Sequence, residues 1–259
     1  MQLHYKKYGE GKPLIILHGL FGISDNWVTF AKKIADLGYA VYIPDQRNHG
    51  QSPHSPAFNY LALVDDLFEF IDEHELEDAI VLGHSMGGKV AMRYALENPQ
   101  FLSALIVVDI SLRAYQARPH HKNIIKAMKQ VDFDKVQTRK DVETILKESI
   151  TNPKIRLFVM KNLHREGQTD FKWRLNLDGI CDNLDQMFDG IQIPEAFTKP
   201  TLIIRGGDSD YIIDEDIPDL ESAFPNQTFH TIKGATHWVH AEAPELFYLY
   251  VSQFLQKNS

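Results

Sequence analysis

The pentapeptide GHSMG at 83–87 follows the apolar run AIVL and leads at once into a helical pattern, GKVAMRYALEN. A chain that leaves a buried strand and enters a helix within one residue must turn sharply. The residue at the turn takes a strained backbone conformation, and its neighbours have little room for a Cβ. Gly83 and Gly87 supply that room, and Gly88 reads as a spare. Such a turn lifts the Ser85 hydroxyl clear of the sheet and sets it at the start of the following helix, where unpaired N–H groups and the helix dipole favour a developing negative charge. This is the setting of a nucleophilic serine.

A serine hydroxyl attacks well only when a base takes its proton, and on this kind of scaffold the base is a histidine later in the chain. Of the 12 histidines, His237 in KGATHWVHAEAPELF has the right surroundings: the strand-like QTFHTI precedes it and the helical ELFYLYVSQFLQ follows, which puts it in a loop at the last strand. His240 is its nearest competitor. The HWVH spacing also raises metal ligation, but no third or fourth ligand stands nearby and the chain has one cysteine, so neither a metal nor any other cofactor is expected.

The elements that must hold these groups are legible as apolar runs alternating with amphipathic ones. PLIIL at 13–17, YAVYI at 39–43, AIVL at 79–82, ALIVVD at 104–109 and TLIIR at 201–205 read as strands buried on both faces of a parallel sheet. WVTFAKKIADLG, YLALVDDLFEFIDEH and KVAMRYALENP read as the helices between them, the first ending at Gly38 and the last at Pro99. This is the alternation of an α/β fold. From Ser111 to Pro200 no convincing buried strand occurs, whereas HKNIIKAMKQV and KDVETILKESI are helical, so a helical insertion is expected, packed on the sheet rather than folded apart from it.

Composition agrees with one large domain: 259 residues, 44% of them hydrophobic, can bury a continuous core. The formal charge of -8 argues against nucleic acid as a partner, because such binders carry a basic footprint. With no secretory leader and no stretch long enough to cross a bilayer, the expected setting is the cytoplasm, away from membranes, as a monomer or homodimer. Cys181 excludes an internal disulfide and reads as a small apolar filler.

Taken jointly, LHGLFG at 17–22, PDQRNHGQSPHS at 44–55, GHSMGGK at 83–89, VVDIS at 107–111, WRLNLD at 173–178, GGDSDY at 206–211 and GATHWVHAEAPE at 234–245 resemble the small YbfF-type esterases of the α/β-hydrolase superfamily. The resemblance implies an α/β-hydrolase fold, with a core domain of residues 1–110 and 200–259 and a helical cap over 111–199, inserted after the strand ending near Asp109. It also bears on the acid that orients His237. In most of the superfamily the acid follows the strand that is TLIIR here, which favours Asp208 or Asp210, yet the usual G-x-x-D spacing from Gly206 falls on Ser209. In the YbfF-type branch the acid moves to the end of the preceding strand, which here is Asp109; Asp210 remains its rival. By the same resemblance the oxyanion donors are the N–H groups of Met86 and, in the loop expected after a third strand, Leu20, with Phe21 and Trp238 lining the substrate pocket. His18, Asp45, Arg47, His49 and Gly50 read as loop scaffold.

The implied reaction is hydrolysis of a small-molecule ester of short to medium acyl chain through an acyl-enzyme on Ser85. A serine nucleophile argues against epoxide hydrolase and dehalogenase chemistry, which runs through an aspartyl ester. Acyl-coenzyme A thioesterase, C–C hydrolase, perhydrolase and acyltransferase activities stay open, as does a non-catalytic receptor that keeps the pocket. Residues 113–172 hold 14 Lys and Arg against 7 Asp and Glu in an otherwise acidic chain. Lys126 and Lys129 in this stretch either steer anionic substrates or form solvated helix faces.

Overall fold

The computed structural model describes residues 1–116, 119–166, 170–193 and 195–258. β1 (Tyr5–Tyr8), β2 (Lys12–Leu17), α1 (Val28–Ala35), β3 (Tyr39–Pro44), α2 (Tyr60–Glu73), β4 (Ala79–His84), α3 (Met86–Glu97) and β5 (Leu102–Val108) form the first part of the core. The insertion follows with α4 (Pro119–Lys129), α5 (Arg139–Ser149), α6 (Pro153–Met160), β6 (Leu163–Glu166), β7 (Asp170–Trp173) and α7 (Leu177–Asp182). The core resumes with β8 (Thr201–Gly206), α8 (Ile217–Ala223), β9 (Gln227–Ile232), α9 (Val239–Glu242) and α10 (Pro244–Lys257).

Seven strands make one sheet in the order β1-β3-β2-β4-β5-β8-β9, parallel throughout except for β1, which runs antiparallel to β3 at the edge. The chain is thus an α/β-hydrolase fold. Its apolar strands lack a polar face because both faces are covered. Leu14, Ile16, Ile80, Leu82, Ile106, Val108, Leu202 and Ile204 pack beside α1 and α10, while the alternate residues Ile15, Leu17, Val81, Leu105, Val107 and Ile203 pack beside α2, α3 and α8. Ile124, Met128, Val142, Leu146, Val159 and Ile180 of the insertion join the second of these clusters. The insertion therefore extends one side of the core.

The stretch expected to hold no buried strand carries the antiparallel pair β6–β7, short and mostly exposed, so no apolar run announces it. One sequence reading needs adjusting. Cys181 is exposed, because α7 turns Gly179 and Ile180 inward instead.

Candidate active site

Three strand ends bring the chemistry together. β4 ends at His84, and Ser85 takes φ 54° and ψ −119° before α3 begins at Met86. A Cβ on Gly83 would run into the carbonyl of Gly87, and one on Gly87 into that of Leu17. Gly88 is not a spare: a Cβ there would stand 2.5 Å from Ile110 Cγ2 and 3.0 Å from the Gly83 carbonyl. All three glycines are needed for α3 to pass this close to the sheet.

His237 sits in the loop after β9, with Nε2 2.9 Å from Ser85 Oγ and Nδ1 2.8 Å from Asp109 Oδ2. An ionised carboxylate only accepts, so Nδ1 carries the proton and Nε2 is left to accept from the serine hydroxyl. Asp109 follows β5 at φ 48°, completely buried, and its second oxygen accepts the Gly206 N–H at 2.8 Å. Ser209 donates to Asp109 Oδ2 at 2.5 Å, so the residue standing where the usual pattern has an acid is bonded to the carboxylate at the other position. Asp208 and Asp210 are exposed on the cavity wall, and His237 bonds to neither. The Tyr211 ring stacks on the imidazole with centroids 3.7 Å apart and planes 16° from parallel, fixing its tilt. His240 is elsewhere: it lies flat against Trp27 at 4.2 Å, and burial, then the charge of His237, pushes it down to about 3.

Met86 is the first residue of α3, so its N–H has no helical acceptor, and Leu20 stands in the loop after β2. That loop follows the second strand rather than a third, since only β1 precedes β2 here. Neither N–H donates to a protein acceptor among the described residues, and both residues border a narrow compartment beside Ser85. The residues read as scaffold hold this loop. Phe21, at φ 63°, donates its N–H to His49 Nε2 at 3.2 Å, and His49 Nδ1 donates to the Arg47 carbonyl at 2.9 Å. Burial, reinforced by the charge of His18, pushes His49 down to about 3, so it stays neutral and keeps the lone pair that Phe21 needs. His18, pushed down to about 4 by burial, accepts from the Gln46 N–H at 3.0 Å and donates to the Gly19 carbonyl at 2.9 Å. Asp45 accepts the N–H groups of Ser24 and Gln51, Arg47 grips Asp66 with two bonds of 2.5 and 2.7 Å, and a Cβ on Gly50 would strike the Asp45 carboxylate. The sequence did not signal Asn162, whose amide crosses from the insertion to the Phe21 carbonyl at 2.8 Å; a buried asparagine after a helix has no motif to announce it.

A cavity of about 360 Å³ opens over Ser85. Phe21 and Trp238 line it, and α4 and α6 add Ile124, Ile155 and Phe158. Lys126 and Lys129 do not line it; they border a separate groove beside Cys181, where Lys129 pairs with Asp178 at 2.6 Å. Arg118, one of the basic residues counted in this stretch, lies outside the described residues. Among the described residues no helix is long and apolar enough to cross a membrane.

The family model of the α/β hydrolase fold matches residues 12–244. The chain is 35% identical over 253 residues to the sn-1-specific diacylglycerol lipase ABHD11 of Danio rerio, covering 96% of this chain and 80% of that one. It is 32% identical over 246 residues to esterase YbfF of Escherichia coli, covering 95% and 94%, and 36% identical over 258 residues to a probable alcohol acetyltransferase of Saccharomyces cerevisiae, covering 91% and 75%. Among solved structures, a marine microorganism esterase superimposes with a TM-score of 0.93 at 41% identity, covering 98% of this chain and 99% of that one. With the fold, the motifs and these relatives in agreement, the chain belongs to the α/β hydrolase family and is a hydrolase of the carboxylesterase type.

Proposed function

We propose that the chain is a serine esterase that cleaves small-molecule carboxylic esters of short to medium acyl chain through an acyl-enzyme on Ser85. The observation that carries this reading is the continuous hydrogen-bonded line Ser85–His237–Asp109, at 2.9 and 2.8 Å, opening into a cavity at the serine, beside which Leu20 and Met86, whose N–H groups donate to no protein acceptor among the described residues, border the narrow compartment. Ser85 attacks the ester carbonyl as His237 takes its proton, and Asp109 holds the tautomer and stabilises the imidazolium. The Leu20 and Met86 N–H groups bind the oxyanion, each donor contributing about 3 kcal/mol in the transition state. His237 then protonates the departing alcohol, and water attacks the acyl-enzyme by the same route in reverse.

In this reading residues 1–110 and 200–259 are the catalytic core and 111–199 a cap, supported by the helices that roof the cavity. The carboxylate of Asp208 on the cavity wall, with Lys126 and Lys129 on a different groove, favours neutral esters over acyl-coenzyme A thioesters. A free, exposed Cys181 suits the reducing cytoplasm. A second reading, acyl transfer to an alcohol, is supported by the similarity to the yeast protein named as an acetyltransferase. A non-catalytic receptor is disfavoured, since no member of the serine–histidine–aspartate line is missing.

The test is hydrolysis of p-nitrophenyl acetate and butyrate together with labelling by a serine-directed fluorophosphonate. Turnover with the label on Ser85 is expected, and absence of both would overturn the reading. Added alcohol separates the two acyl acceptors: ester product forming in preference to free acid would establish the transferase.

A further inference from the structure

Lys89 lies one turn into α3, its N–H bonded to the Ser85 carbonyl at 3.0 Å, and its side chain is completely buried. Among the described residues no carboxylate pairs with it. Its Nζ donates to two backbone carbonyls, that of Arg113 at 2.8 Å and that of Asp189, and stands 4.9 Å from the centre of the Tyr115 ring and 5.7 Å from that of Tyr60. The two carbonyls belong to the two necks of the insertion, where the chain leaves the core and returns to it. Those necks are stitched side by side: Tyr115 donates its N–H to the Phe188 carbonyl at 2.7 Å, and Ile191 donates to Leu112 at 2.8 Å. The Tyr60 hydroxyl of α2 donates to the Met187 carbonyl at 2.8 Å. One amine thus ties both necks and a core tyrosine to the helix that begins at the nucleophile.

The same residues wall the narrow compartment beside Ser85. Tyr60, Tyr115, Met187 and Phe188 enclose it together with Leu20 and Met86, leaving about 20 Å³, room for about one water. His237 borders the wide cavity and not this compartment. Because the imidazolium must reach the leaving oxygen, the alcohol lies on the wide side and the acyl group faces the narrow one.

We infer that Lys89 is a positioning residue for acyl selection: by tying the necks and Tyr60 into one wall it keeps the acyl compartment short, so that acetyl- to propionyl-sized esters of larger alcohols are preferred. This rests on Ser85 being the nucleophile. Seating of the wall is also coupled to a proton. Burial pushes the Lys89 amine down to about 7, opposed by the Asp189 carboxylate and reinforced by the Arg113 guanidinium, which is itself paired with Asp216. The other titratable groups against it, the Tyr60 and Tyr115 hydroxyls, are driven further up by burial and stay neutral. The amine holds its proton less tightly when the necks are seated than when it is hydrated. Raising the pH above about 7 therefore strengthens seating and sharpens the preference for short chains.

The experiment measures kcat/KM for acetyl, butyryl and hexanoyl esters of one alcohol. The wild type should show a hexanoyl-to-acetyl ratio of about 0.1 or less, and Lys89→Met, which keeps the apolar stem without the donors, should raise it by about tenfold while Ser85 still takes the fluorophosphonate. Should Lys89→Met fail to fold on thermal melting, the wild-type ratio alone decides: it should fall severalfold from about pH 7 to about pH 9, since steps common to both substrates cancel in a ratio taken on one enzyme. A wild type that prefers hexanoyl, a pH-independent ratio, or an unchanged profile in a folded and labelled Lys89→Met overturns the inference. Loss of fluorophosphonate labelling in the wild type overturns instead the assignment of Ser85.

Discussion

Ser85 and Phe21 reach the cavity from the rim of the sheet at φ values of 54° and 63°, with Asp109 buried behind them at 48°, whereas Ile124, Ile155 and Phe158 reach it from regular helices of the insertion. Positive φ costs a non-glycine residue about 1–3 kcal/mol, and it persists only where the surroundings leave no alternative. On the rim they leave none: the Ser85 N–H bonds to Val108, the Asp109 N–H to Ile204, and Asn162 and His49 hold Phe21 from both sides. The insertion side is set by apolar packing, which tolerates exchange of one side chain for another of similar volume. On the proposed mechanism, chemistry is thus confined to the over-determined half of the cavity and shape to the adaptable half.

Breaking the rim should give the largest effects. Ser85→Ala and His237→Ala are expected to lower kcat by about 10⁶-fold with little change in Tm, because the members act as a unit; near-normal turnover in either would remove that residue from the mechanism. Asp109→Asn should cost about 10⁴-fold, since the amide favours the wrong imidazole tautomer, while Asp210→Asn stays within a few fold. The reverse order would move the acid to the loop after β8.

Acid should also find the rim first. His18 and His49 are held near 4 and 3, below the ordinary 6.5, so the unfolded chain binds more protons between those values. Their contribution is complete above about 6.5 and is lost as the pH falls through that window, by about 1.4 kcal/mol per unit for each histidine. Urea titrations at stepped pH should show this steepening, and it should be reduced in His49→Gln. The smallest effect belongs to the insertion: Phe158→Ala, which removes an edge-on contact with Trp238 at 4.3 Å, should lower kcat/KM about tenfold through KM and leave the pH profile unchanged.

The difference between the two halves also explains what could be read without coordinates. The strands were legible because a sheet covered on both faces demands unbroken apolar runs, and Ser85 because Gly83 and Gly87 mark where backbones nearly touch, while the need for Gly88 against Ile110 shows only in three dimensions. His237 followed from chain order. Asp109 came only from family resemblance, since a carboxylate after a strand looks the same whether it orients a base or ends a ladder; its positive φ and its bonds to Gly206 and Ser209 exist only in three dimensions. Lys89 stands within GHSMGGK with nothing to mark it, because a lone lysine in a helix normally faces water. The basic surplus of the insertion could be counted but not aimed: Lys126 and Lys129 sit on a face of α4 away from the cavity. β6 and β7 are too short and polar to leave a pattern.

Placing the insertion between β5 and β8 has a consequence for how the chain is made. Leu105 to Val108 pair with Thr201 to Ile204, strands adjacent in the sheet but separated by about ninety residues of sequence. At a synthesis rate of about 5–20 residues per second, the β5 edge waits roughly 5–20 s for its partner. Throughout that interval four apolar residues of an open strand face whatever else is nearby, and open edges of this kind are templates for pairing between chains. The finished protein covers that edge completely, so its hazard of self-association belongs to the ribosome-bound chain, and co-translational chaperone demand should peak while the insertion is being synthesised.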